Sequence, residues 1–288
     1  MAEAGLLEQT LNLLRPVMPR RFRGDIPVVP VVRLSGVIGF STPLRPGITL
    51  AGVAKQLDRA FAHPRARAVA LVINSPGGSA VQSHLVFQRI RQLAKEKNRP
   101  VIAFVEDVAA SGGYMIACAA DEIVCDPASI VGSIGVIGAS FGFAEAIKKL
   151  GIERRIHTAG ERKAMLDPFR AERAEDVARL AQVQQEIHDN FKVQVREQRG
   201  SRLKGDEADL FNGDIWTARP ALALGLIDGI GDLRSILRGR YGDEVKLVSV
   251  APQRGWLRRR LRLEQPDGWA EQLLVAIEER GLWARYGL

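Results

Sequence analysis

The sequence predicts an α/β protein on a parallel sheet with helices covering both faces, and three observations carry that prediction. Strand-like and helix-like segments alternate from Pro27 onward. The strand-like runs are continuous in Val, Ile and Ala rather than alternately apolar and polar, as strands buried on both faces require. The helix-like runs between them show amphipathic spacing.

The elements follow in order along the chain. "VVPVVRLSGVIG" reads as a strand, "TLAGVAKQLDRAFA" as an amphipathic helix, "ARAVALVINS" as a buried strand and "SHLVFQRIRQLAKEK" as a helix. "PVIAFVED" is then a strand, "SGGYMIACAA" a short helix and "DEIVCDP" a strand. "SIVGSIGVIGAS" is too rich in glycine for a helix. A helix through "FAEAIKKLG" precedes a strand at "IERRIHT", and a long polar helix spans about 171–198. "GDIWTARPALALGLIDGIG" and a last strand, "VKLVSV", complete the core.

Composition bounds what this core can do. At 288 residues, 46% hydrophobic and 26% charged, the chain is globular material long enough to bury a sizeable core. We divide it into an N-terminal amphipathic and basic extension (1–26), one core domain (27–251) and a C-terminal Trp/Arg-rich amphipathic tail (252–288). No apolar run reaches the ~20 residues of a membrane span. The N-terminus runs from acidic through amphipathic to basic, the reverse of a secretory signal. Cys118 and Cys125 read as buried thiols, which suits a reducing compartment and a cytoplasmic location. The net charge of +8 concentrates in "RPVMPRRFR" and "QRGWLRRRLRL", outside the core and without any nucleic-acid-binding signature, so nucleic acid is not expected as a partner.

Two stretches carry candidate chemistry. In "VAASGGYMIACAA", Ser111 follows a strand and opens a short helix, where unpaired backbone amides suit either a helix cap or a nucleophile that develops an oxyanion. In "NSPGGS", Gly77 and Gly78 permit backbone conformations closed to other residues, and their amides form either a tight turn or an anion-binding nest. Both turns lie at the carboxyl ends of strands, where α/β sheets bind ligands.

An activating base is harder to find. His63, His84, His157 and His188 lie outside small-residue motifs and read as surface groups, with His157 at a strand end the best placed. Lys163 in "HTAGERKAMLDPF" follows a strand and a small-residue turn. Met165, Leu166 and Phe169 stand near enough in sequence to desolvate it, and apolar surroundings favour a neutral amine that acts as a base. The alternative is a solvated loop lysine beside Arg162.

"INSPGG", "ASGGYMIACAADEI", "VGSIGVIG", "TAGERKAMLDPF" and "GDIWTARPALALGLID" occur in the order and approximate spacing of the signal peptide peptidase A family, which the sequence resembles over about residues 28–250. The resemblance implies a Clp protease- and crotonase-like fold with repeated ββα units. It implies a Ser-Lys peptidase in which Ser111 is the nucleophile, Lys163 its base and Ser133 of "GSIG" the residue that orients the lysine. The oxyanion site would use the amides of Gly78 and Gly112, with Gly77 in the same turn. It further implies no metal or organic cofactor, a peptide or unfolded-protein substrate such as a signal-peptide remnant, and self-assembly into a homo-oligomer.

Many members of that family carry a membrane span or two tandem copies of the domain; this sequence shows neither. The tail offers peripheral contact with the inner face of a membrane, because basic residues with tryptophans favour anionic interfaces, against packing on protein instead. The rival readings on the same architecture are an acyl-CoA thioester enzyme and a non-catalytic assembly scaffold.

Overall fold

The computed structural model describes residues 26–39, 47–251 and 280–287. The N-terminal extension and most of the C-terminal tail, each with its arginine-rich stretch, fall outside them.

The continuous apolar runs form the centre of the sheet. β1 (Val28–Ser35), β2 (Val69–Ser75) and β3 (Val101–Ala110) pair in parallel, and the last strand, β7 (Lys246–Ser249), joins the far edge of β1, also in parallel. Residues of β2 and the first half of β3 are almost all buried, as a strand covered on both faces must be. The β2–β3 register shifts between Ile73 and Ser75, so that Ser75 pairs with Ala109. That irregularity divides β3. Its first half pairs with β4 (Glu122–Cys125) and its last residues with β5 (Ile130–Gly132).

Two expectations are corrected. The sheet is not wholly parallel, because β6 (Ile215–Thr217) runs antiparallel to β5. The predicted strand at "IERRIHT" is absent, and residues 152–158 carry no regular structure. In a strand Ile152 and Ile156 would share a face with Arg154 between them, so a charge would interrupt the only apolar face the segment could turn to a core.

Helices α1 (Leu50–Phe61), α2 (Ala80–Lys97), α3 (Gly112–Ala117) and α5 (Ala174–Arg199) build the main core on one sheet face. Thr49 caps α1 by accepting from the Gly52 N–H, and Asn98 closes α2 in a left-handed conformation. The opposite face is covered by α8 (Leu233–Tyr241), whose Leu233 and Leu237 meet Val29, Ala70, Phe104 and Val124. Short helices α4 (Ala144–Lys149), α6 (Glu207–Leu210) and α7 (Ala218–Ala223) complete the set.

The end of α5 brings a charge into the core. Arg199, 2% exposed, donates to the Gly225 carbonyl (2.9 and 2.8 Å) and to both carboxylate oxygens of Asp228 (2.7 and 2.9 Å). Burial pushes the Asp228 carboxyl up, but the Arg199 guanidinium and the Ile123 N–H more than reverse it, holding it below the usual carboxylate range. Tyr114 of α3 donates to the Leu226 carbonyl in the same loop (2.7 Å). Cys118 and Cys125 are buried free thiols, both pushed up to about 12 by burial, which makes them inert packing groups.

Candidate active site

Ser111 joins β3 to α3 with φ 53 and ψ −121, a conformation rarely open to a side-chain-bearing residue. The backbone around it is fully employed: its N–H donates to the Gly132 carbonyl (2.8 Å) and its carbonyl accepts from Met115 N–H (2.9 Å). Its side chain makes no cap hydrogen bond to the first turn of α3. The hydroxyl is therefore not spent on capping.

Small residues let the surrounding backbones close on this serine. A Cβ at Gly77 (φ 105) would lie 2.8 Å from Ser111 Cβ and 3.0 Å from Gly112 N, so the Gly77–Gly78 turn rests directly against Ser111 and Gly112. A Cβ at Gly78 (φ 139) would overlap the Ile38 carbonyl, one at Gly112 the Ser83 hydroxyl and one at Gly113 the Ser75 carbonyl. The Gly77 carbonyl accepts from Ile38 N–H (2.8 Å), while Ser79 N–H donates to the Ile38 carbonyl (2.8 Å). Among the described residues, the N–H groups of Gly78 and Gly112 donate to no backbone acceptor. Two unspent amides beside an unspent hydroxyl can stabilise a developing oxyanion.

Ser133 lies next to this centre, since Gly132 pairs with Ala110. It is 8% exposed at φ 53, and its N–H donates to the Asp214 carbonyl (2.6 Å). Trp216 of β6 packs over Gly132, where a Cβ would meet its ring at 2.6 Å.

Lys163 lies apart from that cluster. It occupies an exposed turn with its N–H bonded to the Gly160 carbonyl (3.2 Å), and it makes no hydrogen bond to Ser111. The expected desolvation is missing in the single chain: Met165, Leu166 and Phe169 are half-buried, but Lys163 itself is not. The reason is that the arm from about 136 to 172 packs on itself. Phe143 and Phe169 are in contact (5.6 Å between centroids), Arg154 lies over Phe169 (4.8 Å), and Arg154 pairs with Asp167 (2.9 Å). Several of its apolar side chains face outward, with Phe141 78% and Leu150 73% exposed.

Sequence reasoning missed His188. Read as a surface group, it is half-buried, and its Nε2 lies 3.0 Å from the Ile134 carbonyl. The signal was present: His188 lies three and seven positions before Phe191 and Val195, which are buried on one face of α5. His84 is exposed as expected and reaches Gln194, which donates to the Met115 carbonyl of α3 (3.0 Å).

Comparison with known proteins places this geometry in a family. The model described as "Peptidase family S49" matches residues 93–241, just over half of the chain. A putative protease of Methanocaldococcus jannaschii is 35% identical, over 60% of this chain and 54% of that protein. The chloroplastic serine protease SPPA of Arabidopsis thaliana is 34% identical, over 58% of this chain and 24% of that protein. A Brucella abortus protein named Na(+)/H(+) antiporter NhaA is 54% identical over 96% of this chain, but that stretch is only 39% of its length. Among the described residues of the present chain, no helix is long and apolar enough to cross a membrane. The chain thus spans less than two thirds of each of these relatives. A solved membrane-bound stomatin-specific protease matches with a TM-score of 0.48 at 18% identity, covering 79% of this chain and 99% of that one.

Proposed function

This chain belongs to peptidase family S49, and from that premise we propose that it is a serine endopeptidase whose nucleophile is Ser111 and whose general base is Lys163. The observation that carries the reading is the unspent Ser111 hydroxyl, held at φ 53 beside the free amides of Gly78 and Gly112. Neutral Lys163 takes the Ser111 proton as the hydroxyl oxygen attacks a peptide carbonyl. The Gly78 and Gly112 amides stabilise the oxyanion, and the lysine returns the proton to the leaving amine. Water then releases the acyl group by the same path. Ser133 orients the lysine, and Gly77 supports the oxyanion turn. An amine favours its neutral form when buried in apolar surroundings.

Self-assembly is part of the proposal. The outward-facing Ile137, Phe141, Leu150 and Ile152 give the arm an apolar surface that a second copy would cover. The same contact would bury Lys163 and bring it to a serine. Substrates would be unstructured or apolar peptides such as signal-peptide remnants. Val81 and Leu85, exposed on α2 just beyond the Gly77–Gly78 turn, support an apolar preference.

The test is peptide hydrolysis by the purified chain. We expect cleavage of apolar peptides that Ser111→Ala and Lys163→Ala each abolish without changing the circular dichroism or the melting temperature. Full activity in either variant contradicts the assignment of that residue.

A further inference from the structure

The segment Gly132–Ile134 is gripped from three sides. Ser111 N–H donates to the Gly132 carbonyl (2.8 Å), Ser133 N–H donates to the Asp214 carbonyl (2.6 Å), and His188 Nε2 stands 3.0 Å from the Ile134 carbonyl. A carbonyl only accepts, so Nε2 carries the proton in this bond. Gly132 (φ 102) and Ser133 (φ 53) both have positive φ, and a non-glycine residue keeps that conformation only where its surroundings enforce it. Of these three hydrogen bonds two run from backbone to backbone, as does a further one from Gly135 N–H to the Ser133 carbonyl (2.9 Å). Only the third comes from a side chain, a half-buried one on a 26-residue helix, three positions before the buried Phe191.

We propose that His188 is a positioning residue for the nucleophile. By holding the Ile134 carbonyl it fixes the Gly132–Ile134 segment, and the Gly132 carbonyl in turn fixes the backbone of Ser111. This rests on the reading of Ser111 as the nucleophile. Displacing a reacting group by about 1 Å can cost up to ~10²-fold in rate, so a slack tether acts on turnover rather than on substrate binding.

The test compares the full chain as wild type, His188→Ala and His188→Gln, because a glutamine amide can donate to the same carbonyl. One readout is kcat and KM on an apolar peptide; the other is amide hydrogen exchange in the peptides that contain Ser111 and Ser133. We expect His188→Ala to lower kcat about tenfold to hundredfold with KM nearly unchanged. Exchange at both amides should quicken while the melting temperature holds, and His188→Gln should recover most of both effects. Unchanged kcat or unchanged exchange in His188→Ala overturns the proposal. So does a loss that tracks a fall in melting temperature and is not recovered by glutamine. Wild-type turnover that survives Ser111→Ala would instead sink the nucleophile assignment, and the exchange data would still decide whether His188 holds the segment.

Discussion

Ser111 opens a helix of six residues, α3, all of them buried, whereas the arm that carries Lys163 holds another six-residue helix, α4, with none buried. The first is locked by Tyr114 to Leu226, by Gln194 to Met115 and by glycines that leave no room for a side chain. The second is organised by a few aromatic contacts and an ion pair near the surface. The Ser111 and Gly77–Gly78 turns are thus held within the single chain. In the proposed mechanism, the placement of Lys163 depends on something that covers the arm.

The sharpest way to break that comparison is to disable each half. Ser111→Ala should lower peptide hydrolysis by at least about 10³-fold with the fold unchanged, and Lys163→Ala should match it. Mixing the two inactive variants should restore part of the activity if a lysine serves the serine of a neighbouring copy; a mixture that stays inactive would place both groups in one chain.

Next in size is the oxyanion turn. Gly78→Ala must displace the backbone at Ile38 because a Cβ there would overlap the Ile38 carbonyl. We expect a loss of about 2.7–4 kcal/mol of transition-state stabilisation, read as a 10²–10³-fold fall in kcat.

The rigid half should also fail through its buried ion pair. Asp228→Ala leaves Arg199 buried without its partner and should cost roughly 3–5 kcal/mol in denaturant unfolding. The pH dependence has a fixed sign. The Asp228 carboxyl is held below its ordinary range, so its contribution is full above that range and is lost as pH falls through the lowered folded-state value. An acid titration of stability should therefore be less steep in Asp228→Asn.

The smallest stability effect should come from the arm. Phe141→Ser or Leu150→Ser should change monomer stability by no more than about 0.5 kcal/mol, since both side chains are exposed. Light scattering should nevertheless show a smaller assembly, and activity should fall with it. Unchanged mass would remove the arm from the interface.

How far the sequence could be read follows the same division. The central strands were legible because Val, Ile and Ala run continuously through β2 and β3, and the "SGG" and "PGG" turns fell where small residues admit close backbones. The arm was misread at "IERRIHT", where propensity suggested a strand but no two-residue apolar alternation supports one. Arg199 was not legible as a core residue, because its partners Gly225 and Asp228 come from a loop that local patterning does not connect to α5. His188 was legible only by its spacing from Phe191 and Val195, and its target, a backbone carbonyl, leaves no mark in the sequence.

In the proposed mechanism the core presents Ser111 ready-made and the arm supplies the base. It is tested most directly by covalent labelling with a fluorophosphonate and mapping of the modified peptide. One labelled site, Ser111, is expected in the wild-type assembly, with strongly slowed labelling in Lys163→Ala. Modification of another serine, or equal labelling rates in the two proteins, would contradict it.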